Sequence, residues 1–466
     1  MAEENNRLGG RLKRYAKVGT GVGGQAAKFA GARLFGLSLD DQKNAEAMAA
    51  ALGGLKGPLM KVAQLLATIP GALPEEYSQA LSQLQSDAPP MGWPFVKRRM
   101  QAELGRDWQS RFDSFERQPA AAASLGQVHR AFSGDGEQLA CKLQYPDMDS
   151  AVEADLNQLQ VLFAIHRRMG PVIDTSEISK EISARIREEL DYIREARHMA
   201  LYGDILADEE LVRVPVVKPD LSTGRLLTMN WLQGEKFLDF KDESLEIRNL
   251  LSVAMFRAWW RPFSHYGVIH GDPHLGNYTV FRNDADSGSG SAGDPGGINL
   301  LDYGCIRIFP VSFVQGVVEL YRGLQTGNRD QIVGAYENWG FQGLNNDLIE
   351  ILNIWAGFIY GPLLEDRVRT VADGTSPGHY GRKEAFRVHQ ALKEKGPVKI
   401  PREFVFMDRA AIGLGSVFLH LRGELNYFRL LNEQIDNFDI DQLAARQDRA
   451  LKKAGLDNSI ALDAAE

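Results

Sequence analysis

The sequence HGDPHLGN at residues 270–277, followed by INLLDYG at residues 298–304, is the most informative part of this chain. Asp272 and Asn277 share one predicted loop, and Asp302 lies on a later apolar strand. In kinase-like folds, one aspartate of such a set acts on the nucleophile, while the asparagine and the second aspartate hold Mg²⁺ on a nucleotide triphosphate. Mg²⁺ prefers hard oxygen ligands, which these side chains supply. The pattern therefore predicts a nucleotide site rather than a structural turn.

The composition is that of a soluble globular chain. Its 466 residues, 44% of them hydrophobic and 24% charged, suffice for two lobes or more. The net charge of −8 argues against a general nucleic-acid-binding protein. Cys141 and Cys305 are too few for a disulfide framework and indicate a reduced, cytoplasmic compartment. We expect no transmembrane segment and no signal peptide, because no apolar run is long enough and the N-terminus is polar.

The first 90 residues have a helical pattern. Residues 7–33 carry basic but no acidic side chains, and apolar residues recur there at helical spacing. This segment predicts either a helix on an anionic membrane surface or partner, or an arm packed on its own domain. The glycines between residues 19 and 24 weaken any helix there. Further helices are predicted over 38–69, 73–85 and 94–104.

The middle of the chain mixes strands and helices. Residues 121–132 predict a strand, a tight turn and a second strand, and residues 133–137 predict a hairpin turn. The Gly- and Ser-rich insert 283–297 predicts a flexible hairpin tip between the strands that carry Asn277 and Asp302. Strands are further predicted at 138–143, 214–217 and 225–230, and long helices at 148–169 and 176–206.

Lys142 lies on the strand after this hairpin and fits a lysine that anchors nucleotide phosphates. An acidic helix follows, in which Asp191 and Glu195 are four residues apart and share a face, whereas Glu189 points elsewhere. The alternatives are a solvated strand edge and a solvated acidic face. If these carboxylates are buried, they need cationic partners, and Lys142 and Lys61 are the candidates.

Two further groups are less specific. Lys61 and Gln64 are three residues apart on one face of a predicted helix, which by spacing alone is an ordinary amphipathic helix. His265, His270 and His274 could suggest zinc, but no cysteine or second spaced pair accompanies them.

Taken together, these motifs resemble the UbiB/AarF (ADCK-type) family of atypical kinases over about residues 10–430. The family hallmarks present are a Lys-x-x-Gln helix at 61–64, an alanine-rich loop at 120–124, the Glu189-x-Asp191 pair, the 270–277 loop and a C-terminal helix near 404–427. Ala63 departs from the family pattern, because a glycine stands there in the family motif.

The resemblance implies an α+β, two-lobed, protein-kinase-like fold with an added N-terminal helical extension. The expected division is an extension at 1–110, an N-lobe at 111–228 and a C-lobe at 229–466. Many bacterial members end in a pair of transmembrane helices, whereas this chain ends in ALDAAE. Any membrane contact would then be peripheral, at the inner membrane surface.

The resemblance also implies roles for individual residues. Asp272 would be the catalytic-loop aspartate, and Lys142 would pair with Glu195 and contact phosphates. Lys61 would reach into the cleft, held by Glu189 and Asp191, and block protein substrates. The remaining implied contacts are Mg²⁺ at Asn277 and Asp302, adenine at the hinge Met229–Leu232, and phosphate at Ala121, Ala122, Ala123 and Ser124.

Three features bear on the chemistry. The alanine loop carries Cβ atoms where glycines would let N–H groups close over phosphate, which predicts weak phosphoryl transfer to protein. Gly271 stands where protein kinases carry an arginine that reads a phosphorylated activation loop. Few residues separate Gly304 from the helix predicted near Pro310, so there is little room for such a loop.

The predicted activity is that of an ATP-dependent atypical kinase or ATPase that uses ATP or ADP with Mg²⁺. By the resemblance it supports ubiquinone biosynthesis, with membrane lipids or quinone-pathway proteins as partners and no nucleic acid. One alternative is a small-molecule phosphotransferase of the aminoglycoside or choline type. The other is a non-catalytic, nucleotide-switched scaffold that binds lipids or proteins.

Overall fold

The computed structural model describes residues 91–123, 125–146, 148, 150, 152, 153, 156, 187–283, 293–341, 343–371, 388 and 402–457. Within these residues helices and sheets are mixed, and the predicted α+β class is confirmed. The predictions for Lys61, Gln64, Ser124 and the helices before residue 91 lie outside the described residues.

The chain divides into two compact units. One comprises residues 1–91, 121–127 and 145–187, and the other comprises residues 92–120, 128–144 and 188–466. Lys142, Glu195, Asp272, Asn277 and Asp302 all belong to the second unit. The predicted boundaries after residues 110 and 228 stay a prediction.

The first sheet carries Lys142. Its strands follow the order β1-β3-β4-β6, and β4 is antiparallel to β6, with Lys142 opposite Leu227. The predicted strand at 214–217 is wrong: Pro215 lacks an N–H for a ladder, and the segment makes an isolated bridge from Val217 to Met229. The strands of this sheet are β1 Ser114–Phe115, β2 Ala121–Ala123, β3 Gly126–Phe132, β4 Gln138–Gln144 and β6 Leu226–Asn230.

The second and third sheets carry the two predicted loops. In the second sheet the order is β5-β10-β9-β7, and Leu300 of β10 lies opposite Tyr278 of β9. The third sheet pairs β8 with β11 in antiparallel fashion, so the loop after β8 and the loop before β11 are neighbours. Their strands are β5 Val212–Arg213, β7 Glu235–Lys236, β8 Val268–His270, β9 Tyr278–Arg282, β10 Pro295–Leu300 and β11 Ile306–Ile308.

Two predicted helices have different bounds in the structure. The helix expected at 176–206 is interrupted by a turn at residues 189–190, and it restarts after Asp191. The helix expected near 404–427 ends at Leu421, because Arg422 adopts a left-handed φ of 51°. The helices are α1 Trp93–Leu104, α2 Tyr192–Ile205, α3 Leu245–Tyr266, α4 Val311–Thr326, α5 Arg329–Asn338, α6 Asn346–Tyr360, α7 Arg402–Leu421, α8 Tyr427–Ile435 and α9 Ile440–Ala454.

Helix α3 forms the centre of the core and delivers the chain to the site. Leu251, Phe256 and Phe263 on this helix are buried. The helix stops at Gly267, whose left-handed φ of 65° lets its N–H bond to the Phe263 carbonyl. Strand β8 starts directly afterwards, so the buried helix fixes where the 270–277 loop begins. Among the described residues, no helix is both long and apolar enough to cross a bilayer.

Candidate nucleotide site

Lys142 and Glu195 form a buried ion pair within the second unit. The Nζ of Lys142 donates to Oε1 of Glu195 at 2.6 Å, and the side chains are 12% and 2% exposed. Strand β4 presents Lys142 on a rigid ladder, and helix α2 presents Glu195 on its buried face. Lys142 Nζ also lies 3.5 Å from Oδ2 of Asp302. One ammonium group therefore connects the first sheet, helix α2 and the Asp302 loop.

The charges of this cluster explain its titration. Burial alone would lower the pKa of Lys142, but the carboxylates of Asp302 and Glu195 raise it well above its usual value. Burial raises the pKa of Glu195, and the positive charge of Lys142 opposes that rise. The ammonium thus stays charged at neutral pH, 2.6 Å from the Glu195 carboxyl group. A permanently charged lysine is what a phosphate-binding role requires.

The 270–277 loop is closed by hydrogen bonds to its own backbone. The carbonyl of Asp272 accepts from the His274 N–H at 2.7 Å and from the Asn277 amide Nδ2 at 3.0 Å. The Asn277 N–H in turn donates to the His274 carbonyl at 2.9 Å. Because its Nδ2 is engaged inside the loop, Asn277 is oriented with Oδ1 as its remaining hydrogen-bonding atom.

His270 joins this loop to the Asp302 loop. Its Nε2 donates to the Asp302 carbonyl at 2.7 Å, and its Nδ1 accepts from the Asp272 N–H at 3.3 Å. With a carbonyl as the partner of Nε2 and an N–H as the partner of Nδ1, the ring proton lies on Nε2. The side chain is 3% exposed, so the histidine is a buried spacer between the two aspartates.

Both carboxylates lie near Tyr278, the residue after Asn277. Burial raises the pKa of Tyr278, and the charges of Asp272 and Asp302 raise it further. The Leu301 N–H donates to the Asn277 carbonyl at 3.0 Å, which brings the residue before Asp302 beside Asn277. The structure therefore brings Asp272, Asn277 and Asp302 together around His270 and Tyr278, and Lys142 lies 3.5 Å from Asp302.

The donor chemistry of this group fits Mg²⁺. Asn277 offers a carboxamide oxygen, and Asp302 offers a carboxylate whose side chain is 39% exposed and whose Oδ1 accepts from the Gly304 N–H at 2.9 Å. Within the described residues, no three His, Cys, Asp or Glu side chains cluster closely enough to hold a metal ion. Asn277 and Asp302 would thus leave other Mg²⁺ positions for water and phosphate oxygens.

Other predicted site residues lie elsewhere in the second unit. Asp191 is the N-cap of α2, where its Oδ1 accepts from the Arg194 N–H at 2.9 Å. The expectation that it shares a helix face with Glu195 is wrong, because the cap is exposed and Glu195 is buried. Met229 lies on β6 opposite Ala140 of β4, and Leu232 is half-buried beyond the end of β6.

The remaining predictions fall at the edge of that unit or outside it. Glu189 is half-buried in the turn before α2, and its Cγ lies 3.9 Å from the Cβ position of a residue replacing Gly304. Ala121, Ala122 and Ala123 form β2 of the first unit.

Two contacts around the loops escape sequence reasoning. Gly413 of α7 faces the 270–277 loop so closely that an added Cβ would lie 2.6 Å from Cγ of Pro273. His198 of α2 places Nδ1 3.1 Å from the Tyr303 carbonyl. Burial and the charge of Arg194 lower the pKa of His198 to about 3, so the ring is neutral. Glycine in a helix and histidine at a buried position are the weak signals that could have found them.

A third contact that the sequence does not reveal lies behind the loops. Arg307 on β11 donates from Nη2 to Oε2 of Glu188 at 2.5 Å, and Nη1 of Arg194 lies 3.4 Å from Oε1 of the same carboxylate. An arginine between Ile306 and Ile308 on a buried strand is the available signal, because such a charge needs a carboxylate.

Comparison with known proteins identifies a family whose model matches this chain. The model of the ABC1 atypical kinase-like domain matches residues 83–336, more than half of the chain. AarF domain-containing protein kinase 1 from Xenopus laevis is 29% identical over 280 residues, 59% of this chain and 52% of the relative. The atypical kinase COQ8 from Saccharomyces cerevisiae, a mitochondrial protein, is 28% identical over 336 residues, 70% of this chain and 64% of the relative. The chain thus spans about half to two thirds of these relatives.

A solved structure supports the same fold. The complex of Rv3197 with erythromycin, from Mycobacterium tuberculosis, superposes with a TM-score of 0.58 at 25% identity. The match covers 89% of this chain and 97% of the other. With the family match, it confirms the predicted kinase-like fold.

Proposed function

The chain belongs to the ABC1 atypical kinase-like family, and from that membership and the site geometry we propose that it binds Mg²⁺–ATP and hydrolyses it. One observation carries the proposal: Lys142 lies 2.6 Å from Glu195 and 3.5 Å from Asp302. A buried strand lysine held by a helix carboxylate next to a loop aspartate is the arrangement that nucleotide phosphates require in kinases.

Each residue has a role in this proposal. Lys142 binds the phosphates of ATP or ADP, and its positive charge offsets the repulsion between their negative charges. Asp272 orients water or a small hydroxyl substrate and accepts its proton. Asn277 and Asp302 hold Mg²⁺, which neutralises charge on the phosphates when bound. His270 fixes the separation of the two aspartates through its two hydrogen bonds.

The wider role rests on the family. Relatives that match this chain carry the name COQ8, and the family resemblance connects the chain with ubiquinone biosynthesis. We place ATP hydrolysis in that process at the membrane surface, with lipid intermediates or quinone-pathway proteins as partners. The adenine contacts at Met229 and Leu232, the alanine loop at 121–124 and a blocking role for Lys61 belong to the same proposal.

Nucleotide titration tests the core of this proposal. Wild-type protein should be stabilised by ATP in a thermal-shift titration with Mg²⁺, and EDTA should remove most of the effect. The Asp302→Asn variant should lose Mg²⁺-dependent binding, because an amide replaces the anionic ligand. Asp294→Asn is the matched control, since Asp294 is exposed at the opposite end of β10. Unchanged Mg²⁺-dependent affinity in Asp302→Asn would contradict the metal assignment.

Two measurements separate the activities. ATP turnover with and without anionic liposomes distinguishes an ATPase from a scaffold, because a scaffold would show no turnover in either condition. Transfer of labelled phosphate to small hydroxyl compounds would instead favour a phosphotransferase. Quinone content in a deletion strain, restored by wild type but not by Asp302→Asn, tests the biosynthetic role.

A further inference from the structure

The segment just before helix α2 is attached to the strand that follows the Asp302 loop. Glu188 and Arg307 form this attachment at 2.5 Å, with side chains 12% and 8% exposed. Arg194, in the first turn of α2, contacts the other oxygen of Glu188 at 3.4 Å. The carboxylate therefore lies between two guanidinium groups, one on each side of the contact between α2 and β11.

Two more contacts join the same two parts of the chain. Glu189 packs beside Gly304, and His198 reaches the Tyr303 carbonyl from the second turn of α2. From Glu188 to His198, the start of α2 thus lies along residues 303–307. Glu195 lies within this segment, so the position of its carboxylate follows from the contacts on either side of it.

The strand that carries Arg307 is held to β8 and to the loop after it by backbone hydrogen bonds. Its backbone pairs with Ile269 on β8, and the Gly271 N–H donates to the Cys305 carbonyl at 2.7 Å. A Cβ added to Gly271 would lie 3.0 Å from that carbonyl oxygen and 3.1 Å from the Cys305 Sγ. At position 271, where protein kinases carry an arginine, a side chain would therefore collide with Cys305, the residue before β11.

Protein kinases control the glutamate-bearing helix through an activation loop whose phosphate pairs with arginine. In this chain residues 305–310 alone separate Gly304 from α4, and β11 occupies half of them. Resting on the proposed function, we infer that the Glu188–Arg307 ion pair holds α2 permanently in the position that lets Glu195 engage Lys142. Glu188 and Arg307 are positioning residues that replace a phosphorylation-dependent contact with a constitutive one.

The test compares Mg²⁺–ATP affinity with unfolding by urea. Arg307→Met should weaken Mg²⁺–ATP binding by about 5- to 150-fold, the range typical of coupling between distinct sites. Arg307→Lys should restore part of the affinity, because it keeps the charge. If the loss of the Arg307 contact to Glu188 prevents Arg307→Met from folding, Glu188→Gln/Arg307→Met removes both charges and should fold but bind weakly. Asp204→Asn, which removes an exposed ion pair at the other end of α2, is the matched control.

A double-mutant cycle with Glu195→Gln distinguishes positioning from stability alone. In the Glu195→Gln background, Arg307→Met should no longer change Mg²⁺–ATP affinity, while its effect on urea unfolding persists. Wild-type affinity in Glu188→Gln/Arg307→Met, or equal losses in both backgrounds, would overturn the inference. Failure of the wild type to bind Mg²⁺–ATP would instead overturn the proposed function, and the inference with it.

Discussion

The two halves of the candidate site are stabilised by different interactions. Lys142 and Glu195 come from a strand and a helix and meet through a side-chain ion pair. The loops of Asp272 and Asp302 meet mainly through main-chain groups, with His270 bonded to the backbone of both. Substitutions that remove a charge should therefore disrupt the first half. The second half should be disrupted mainly by substitutions that change side-chain size.

Breaking the ion pair should have the largest effect. Glu195→Ala leaves the ammonium of Lys142 buried beside Asp302 with its closest partner removed. We expect a loss of about 3–5 kcal/mol in the free energy of unfolding, measured by urea denaturation, and loss of detectable Mg²⁺–ATP binding. Glu195→Gln keeps the shape and should be milder in stability. A Glu195→Ala protein with wild-type stability would show that the pair contributes little.

Overfilling the main-chain half should have an intermediate effect. In Gly413→Ala the new Cβ would lie 2.6 Å from the ring of Pro273, so the 270–277 loop must shift. We expect a cost of about 1–3 kcal/mol and a clear fall in ATP turnover. Gly334→Ala on helix α5 is the control, since a Cβ there meets nothing within 4 Å. It should stabilise the protein slightly, because alanine favours helices. Equal turnover in the two variants would contradict the close contact.

A surface ion pair on the same helix should have the smallest effect. Asp204 near the end of α2 contacts Lys453 of α9 at 2.8 Å, but the side chains are 38% and 72% exposed. Asp204→Asn should therefore cost only about 0–1 kcal/mol, and salt should remove the difference. A cost as large as that of Glu195→Ala would show that burial does not separate the two ends of α2.

The same contrast explains what the sequence could predict. Asp272, Asn277 and Asp302 are found from short motifs, because a loop and the strand that pairs beside it are close in the chain. The meeting of Glu188 and Arg307, 119 residues apart, depends on the β8–β11 pairing, which no local pattern indicates. Helical spacing alone puts Asp191 on one face with Glu195, because spacing does not show that a cap at Asp191 interrupts the helix.

Proline and glycine positions also limit how much of the structure can be predicted from the sequence. The apolar run at 214–217 looks like a strand by composition, yet Pro215 prevents continuous pairing. By helix propensity alone Gly413 is unfavourable in an apolar helix. The close approach of Pro273 explains it, because no side chain fits there. The role of Gly413 depends on a neighbour that is distant in sequence, whereas Pro215 acts within its own segment.

The β9–β10 hairpin offers a practical opportunity. Its rungs run from Tyr278–Leu300, beside the predicted metal ligands, to Arg282–Pro295 at the far end. Beyond that end the Asn283 N–H donates to the Asp294 carbonyl at 2.8 Å, which closes the ladder. Chain length between Asn283 and Gly293 can therefore vary without changing the register at Asn277. A fluorescent domain grafted there would report on the protein in living cells while leaving the end of the hairpin at Tyr278 and Leu300 intact.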